Sequence, residues 1–161
     1  MLLGIDVSSK NGEVNWGKIN LRYMRFTYLL ATEGINTKNS AYLYNYEHAK
    51  SAGLLIGSYH WLNPRLDINA QARFFCETAV NEGGNLPPAV CLELYKPNSS
   101  DFEKKLRFFL DYVNNQVGKK PIIYTSAEYC LTYLSEASWI CDYPLWIDKP
   151  GSIWPVQLFP W

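Results

Sequence analysis

A chain of 161 residues has room for one domain, and 15 Lys and Arg against 15 Asp and Glu leave no net charge to attract a phosphate backbone. Nucleic-acid binding is thereby excluded as its main role. Aromatic residues make up 16% of the chain, with 12 Tyr and 6 Trp, more than such a core requires and suited to stacking on sugar rings. Cys76, Cys91, Cys130 and Cys141 show no CxxC or close Cys/His spacing, and only His48 and His60 could assist them, so no metal or cofactor is expected. The start, Met1-Leu-Leu-Gly-Ile-Asp6, enters a strand at once, without a basic segment or a long apolar run. We therefore expect neither a signal peptide nor a membrane span, and free thiols.

In chain order, Leu2 to Val7 reads as a strand with Asp6 near its exit, followed by a turn at Lys10-Asn11-Gly12. A short helix is expected over 14–21 and a strand over 26–31 that delivers Thr32-Glu33-Gly34. Tyr42, Tyr46 and Ala49 fall at helical spacing within 39–52, and Gly53 stops that helix. A third strand, 54–61, ends in Tyr59-His60-Trp61, and a helix over 70–81 and a loop over 82–88 follow. The next apolar run, 87–95, carries Glu93. After a cap at Ser99 or Ser100, Leu106, Phe109, Leu110, Val113 and Val117 recur at three and four residues, and Gly118 closes the helix. Pro121 to Tyr124 is a fifth strand, Thr125-Ser126 caps a short helix to about 135, and Pro144 to Asp148 is a sixth strand. The remainder, 151–161, has room for one more strand. Strands alternating with helices over short loops predict a parallel α/β architecture in a single domain spanning residues 1–161.

Glu93 is the residue this pattern does not explain. A carboxylate inside an apolar strand costs several kcal/mol unless it is paired or used. Several other polar residues sit at predicted strand exits, where barrel enzymes place their sites.

Gly4-Ile5-Asp6-Val7-Ser8, Ala31-Thr32-Glu33-Gly34, Gly57-Ser58-Tyr59-His60-Trp61, Gln71-Ala72 with Phe75, Pro121-Ile-Ile-Tyr124-Thr-Ser126 and Leu145-Trp146-Ile147 occur together in this order. The series resembles glycoside hydrolase family 25, the phage and bacterial lysozymes that cleave peptidoglycan. The resemblance implies an irregular TIM-like β/α barrel of five βα units followed by β-strands. It also implies a groove at the strand C-termini for N-acetylmuramic acid and N-acetylglucosamine. The family's D-x-E motif falls on Cys91-Leu92-Glu93, so the proton-donating Glu is kept and the Asp has become Cys. In a strand such i and i+2 side chains share one face, about 6.6 Å apart. The family's Trp-Gln strand falls loosely on Ile153 to Gln157, and its last strand, with another aspartate, is not found before Trp161.

On this reading Glu93 and Asp6 are the catalytic residues and Asp148 is a possible further carboxylate. Glu33, Tyr59, Trp61, Tyr124, Trp146 and Gln157 would bind substrate. The function implied is hydrolysis of the β-1,4 bond between the two sugars in bacterial peptidoglycan strands. An endolysin of this kind would remain in the host cytoplasm until released to the wall. Cys91 and the short end support an alternative, a weakened or inactive lysozyme-like protein that binds wall glycan or is structural. Without its last strand the barrel would keep an open seam, which the apolar tail Leu158 to Trp161 would plug or a second copy would cover, giving a monomer or weak dimer.

Overall fold

In a computed structural model, residues 3–80, 86–98 and 100–148 are described. Six parallel strands form one sheet: β1 (Leu3–Val7), β2 (Met24–Glu33), β4 (Leu55–Trp61), β5 (Ala89–Cys91), β6 (Ile122–Ser126) and β7 (Leu145–Asp148), adjacent in that order. The remaining strand, β3 (Thr37–Lys38), pairs antiparallel with the end of β2 through a turn at Gly34, whose φ of 58° favours glycine. Four helices connect the rest: α1 (Tyr42–Ser51), α2 (Ile68–Thr78), α3 (Phe102–Val117) and α4 (Ala127–Tyr133).

Each helix buries one stripe on the sheet. In α3 the stripe is Phe102, Leu106, Phe109, Leu110 and Val113; in α2 it is Ile68, Ala72 and Phe75, with Gln71 among them. Each large apolar side chain removed from water is worth about 2 kcal/mol, so this layer drives the sheet and helices together. Gly118, at φ 71°, ends α3 in the left-handed cap expected of it. The start of α3 differs from expectation: Asp101 occupies the cap position, with Lys105 3.0 Å from its carboxylate, while Ser100 lies one residue earlier.

The sheet is curled into a half-barrel. Tyr28 in β2 and Trp146 in β7 lie four strand spacings apart along the sheet, about 19 Å if it were flat, yet their ring centroids are 5.2 Å apart. Two glycines make the concave face possible. A Cβ on Gly4 would stand 2.1 Å from the ring of Phe26, and one on Gly57 2.1 Å from the ring of Tyr28. Each glycine therefore provides the space into which an aromatic ring on the neighbouring strand folds.

Several boundaries shift from expectation. The segment 14–21 holds only a 3-10 turn, Trp16–Lys18, because Trp16 turns inward to donate its indole N–H to Asn45 at 3.0 Å. The run 87–95 is a strand only over Ala89–Cys91. Glu93 lies in the bend beyond it and is partly exposed, not enclosed. The expected strand over 151–161 and the tail that would close the seam lie outside the described residues.

Candidate active site

Period-two alternation turns Asp6 of β1, Tyr28 of β2, Tyr59 and Trp61 of β4, Cys91 of β5, Tyr124 of β6 and Trp146 of β7 to the concave face. With Ala89 and Glu93 they line a cleft of about 160 Å³. Register sets the level of each residue. Trp61, Cys91, Tyr124 and Trp146 are successive partners across four strands and form one layer. Glu93, two residues past Cys91, stands above that layer. Tyr28 forms the floor, held by its hydroxyl donating to the Pro87 carbonyl at 3.0 Å. Trp146 meets Tyr28 and Tyr124 edge-on, with centroids 5.2 and 5.0 Å apart. Lys10 places its ammonium 4.5 Å from the centre of the Trp61 ring, at the cleft wall.

This setting favours the protonated form of Glu93. Burial in the aromatic cleft pushes its carboxyl above the usual range, and the charge of Asp148 and, less strongly, of Asp6 pushes the same way. A hydrogen bond from the Tyr124 hydroxyl opposes them by stabilising the anion. Burial also raises the hydroxyls of Tyr59 and Tyr124, so both remain neutral donors. The Cys91 thiol is pushed up to about 12, first by burial, and the backbone N–H of Glu93 donates to its sulfur. A neutral thiol therefore occupies the position two residues before the acid.

The structure brings Asp6, Glu93, Cys91, Tyr59, Trp61, Tyr124 and Trp146 into one cleft. Asp148, at the exposed end of β7, acts electrostatically on Glu93, Cys91 and Tyr124. Glu33, expected to bind substrate, has a hydrogen-bond partner within the chain. It pairs in register with Trp61 at the rim, and its carboxylate accepts from the Tyr95 hydroxyl at 2.7 Å. Gln157 lies outside the described residues. His60, between Tyr59 and Trp61 in β4, is fully buried on the helix side, stacked on Phe109 with centroids 5.3 Å apart. Tyr28 was not anticipated in the site. Its signal is its place with Phe26 and Leu30 on one face of β2, but that strand is buried on both faces and reads as a continuous apolar run. Among the described residues, no group of three or more His, Cys, Asp or Glu is arranged to hold a metal ion.

Residues 5–152 of the chain that builds this half-barrel match the family model of glycosyl hydrolases family 25. The chain belongs to that family. A bacterial lysozyme from Streptomyces coelicolor is similar at 27% identity and TM-score 0.87, covering 98% of this chain and 79% of that one. The CTP1L endolysin structure is similar at 26% identity and TM-score 0.76, covering 96% and 55%. The uncharacterized protein YegX of Escherichia coli K12 is 30% identical over 165 residues. That match takes in 94% of this chain, which spans 60% of the length of YegX. The cleft of this chain sets one carboxyl, Glu93, past a neutral cysteine, with further carboxylates on β1 and at the end of β7.

Proposed function

We propose that the chain is a muramidase, hydrolysing the β-1,4 bond between N-acetylmuramic acid and N-acetylglucosamine in peptidoglycan. The observation that carries this reading is Glu93, a carboxyl that burial and neighbouring charge push above the usual carboxylate range at the mouth of an aromatic cleft. Glu93 gives its proton to the glycosidic oxygen as the bond from that oxygen to the anomeric carbon breaks. Water then adds at that carbon and its surplus proton passes to a carboxylate, which completes hydrolysis. Asp6 positions the N-acetyl group or the water. Tyr59, Trp61, Tyr124 and Trp146 offer rings for the apolar faces of the sugars. The likeness to the CTP1L endolysin supports an endolysin role.

A second reading, a lysozyme-like protein that binds glycan and cleaves it weakly, is favoured by Cys91, which supplies no charge beside Glu93.

Mass spectrometry of fragments released from purified peptidoglycan and reduced with borohydride separates the two readings. Muramitol ends mark a muramidase. Glucosaminitol ends contradict the bond assignment, and absence of soluble fragments together with retained glycan binding favours the second reading.

A further inference from the structure

Glycoside hydrolysis employs two carboxyl groups, one protonated and one anionic, facing each other across the scissile bond. The cleft offers Glu93 as the acid, and β5 offers no anion beside it because Cys91 is a buried thiol. Asp6 of β1 lines the cleft, Glu33 of β2 stands at its rim with its carboxylate taken by the Tyr95 hydroxyl, and Asp148 stands at the exposed end of β7, two residues past the cleft-lining Trp146.

Register decides between Asp6 and Asp148. Cys91 pairs with Tyr124 and Tyr124 with Trp146, so these three share a level. Two residues further along, on the same faces, Ser126 follows Tyr124 and Asp148 follows Trp146, while Glu93 lies in the bend just beyond Cys91 and lines the same cleft. Ser126 and Asp148 are themselves register partners. Glu93 and Asp148 therefore both stand beyond the layer of Cys91, Tyr124 and Trp146, at the exits of strands two spacings or roughly 10 Å apart. The inward curl of the sheet brings their side chains closer. Asp6 is instead level with Tyr28 and Gly57, in the layer of the floor.

We propose that Asp148 is the anionic partner of Glu93, a carboxylate on β7 taking the part that the cysteine on β5 cannot. Its role is that of a positioning residue, acting through the protonation of Glu93 and facing the positive charge that develops at the anomeric carbon. The order of charge effects on Glu93, Asp148 before Asp6, agrees with this geometry. The inference rests on the muramidase reading, but one of its tests does not.

The first test is the titration of the Glu93 carboxyl, followed by carbon NMR in the full chain labelled at glutamate, for the parent, Asp148→Asn and Asp6→Asn. The Glu93 midpoint is expected to fall in Asp148→Asn and to fall less in Asp6→Asn. An unmoved midpoint in Asp148→Asn, or a larger fall in Asp6→Asn, overturns the proposal whether or not the protein cleaves peptidoglycan. The second test is turnover. Asp148→Asn is expected to lower kcat at least tenfold with KM little changed and to move the alkaline limb of the pH profile downward. Asp148→Glu, or Cys91→Asp added to Asp148→Asn, is expected to restore both. A parent that cleaves, with Asp148→Asn retaining its kcat and pH profile, leaves the muramidase reading standing and removes Asp148 from it. A parent with no activity, but with the Glu93 midpoint lowered in Asp148→Asn, does the reverse.

Discussion

His60 supplies a prediction that does not depend on the reaction. Its ring is fully buried between α2 and α3, stacked on Phe109 and Phe75 with centroids 5.3 and 5.6 Å away. Nδ1 lies 2.7 Å from the Thr32 hydroxyl and Nε2 lies 3.2 Å from the Gln71 amide oxygen. That oxygen also accepts from the Asn63 N–H at 2.8 Å, which fixes the orientation of the amide and makes it an acceptor toward the ring. Nε2 therefore carries the proton and donates it, and Nδ1 accepts from Thr32. A second ring proton would face the Thr32 hydroxyl without water. Burial lowers the imidazole from 6.5 to about 4. The folded state thus binds this proton less readily than the unfolded chain does, so stability falls as pH falls below 6.5. At 1.36 kcal/mol per pH unit the loss is about 2 kcal/mol by pH 5 and about 3 kcal/mol by pH 4. Urea unfolding of the parent and of His60→Gln, which keeps one donor and one acceptor but does not titrate, isolates the contribution because the other groups cancel. The parent should lose this amount relative to the variant between pH 7 and pH 4. Parallel pH dependence in the two proteins would refute the assignment of a neutral, buried His60.

Three further outcomes follow from the cleft. Gly57→Ala places a methyl group 2.1 Å from the Tyr28 ring and should cost about 1–3 kcal/mol in urea unfolding; full stability in that variant would mean that the ring does not occupy the space over Gly57. Iodoacetamide at pH 8 should alkylate exposed Cys141 quickly and leave Cys91 intact until denaturant is added, since burial pushes the Cys91 thiol up to about 12. Rapid loss of the Cys91 peptide mass would contradict this. Tyr124→Phe removes the hydrogen bond that favours the Glu93 anion, so its carboxyl should hold its proton to higher pH. The alkaline limb of the activity profile should then move upward, and a downward shift would show that the hydroxyl does not bond that carboxyl.

The strands were legible because each is a short apolar or alternating run bounded by turn residues, and the helices because their buried stripes recur at three and four residues. The clefts of such folds form at strand exits, which is why Asp6, Tyr59, Trp61, Tyr124 and Trp146 were found together. What the sequence left open is which face of a doubly buried strand meets the cleft, so nothing in it separates Tyr28, which faces the cleft, from His60, which faces the helices. Glu33 illustrates a second gap. Its position at the end of β2 suited a site, but its partner Tyr95 comes from 62 residues further along the chain, beyond any local pattern. The hairpin strand Thr37–Lys38, two residues long, leaves no periodic trace. Glu93 was recognised as the exceptional residue, although the strand beneath it stops at Cys91.

The most direct test of the account is the rate at which the full chain releases reducing ends from purified peptidoglycan, compared with Glu93→Gln. Glutamine keeps the shape of the side chain and cannot donate an acidic proton, so the account predicts measurable release by the parent and loss of at least a hundredfold in the variant. Equal rates in the two proteins would contradict the assignment of Glu93 as the acid.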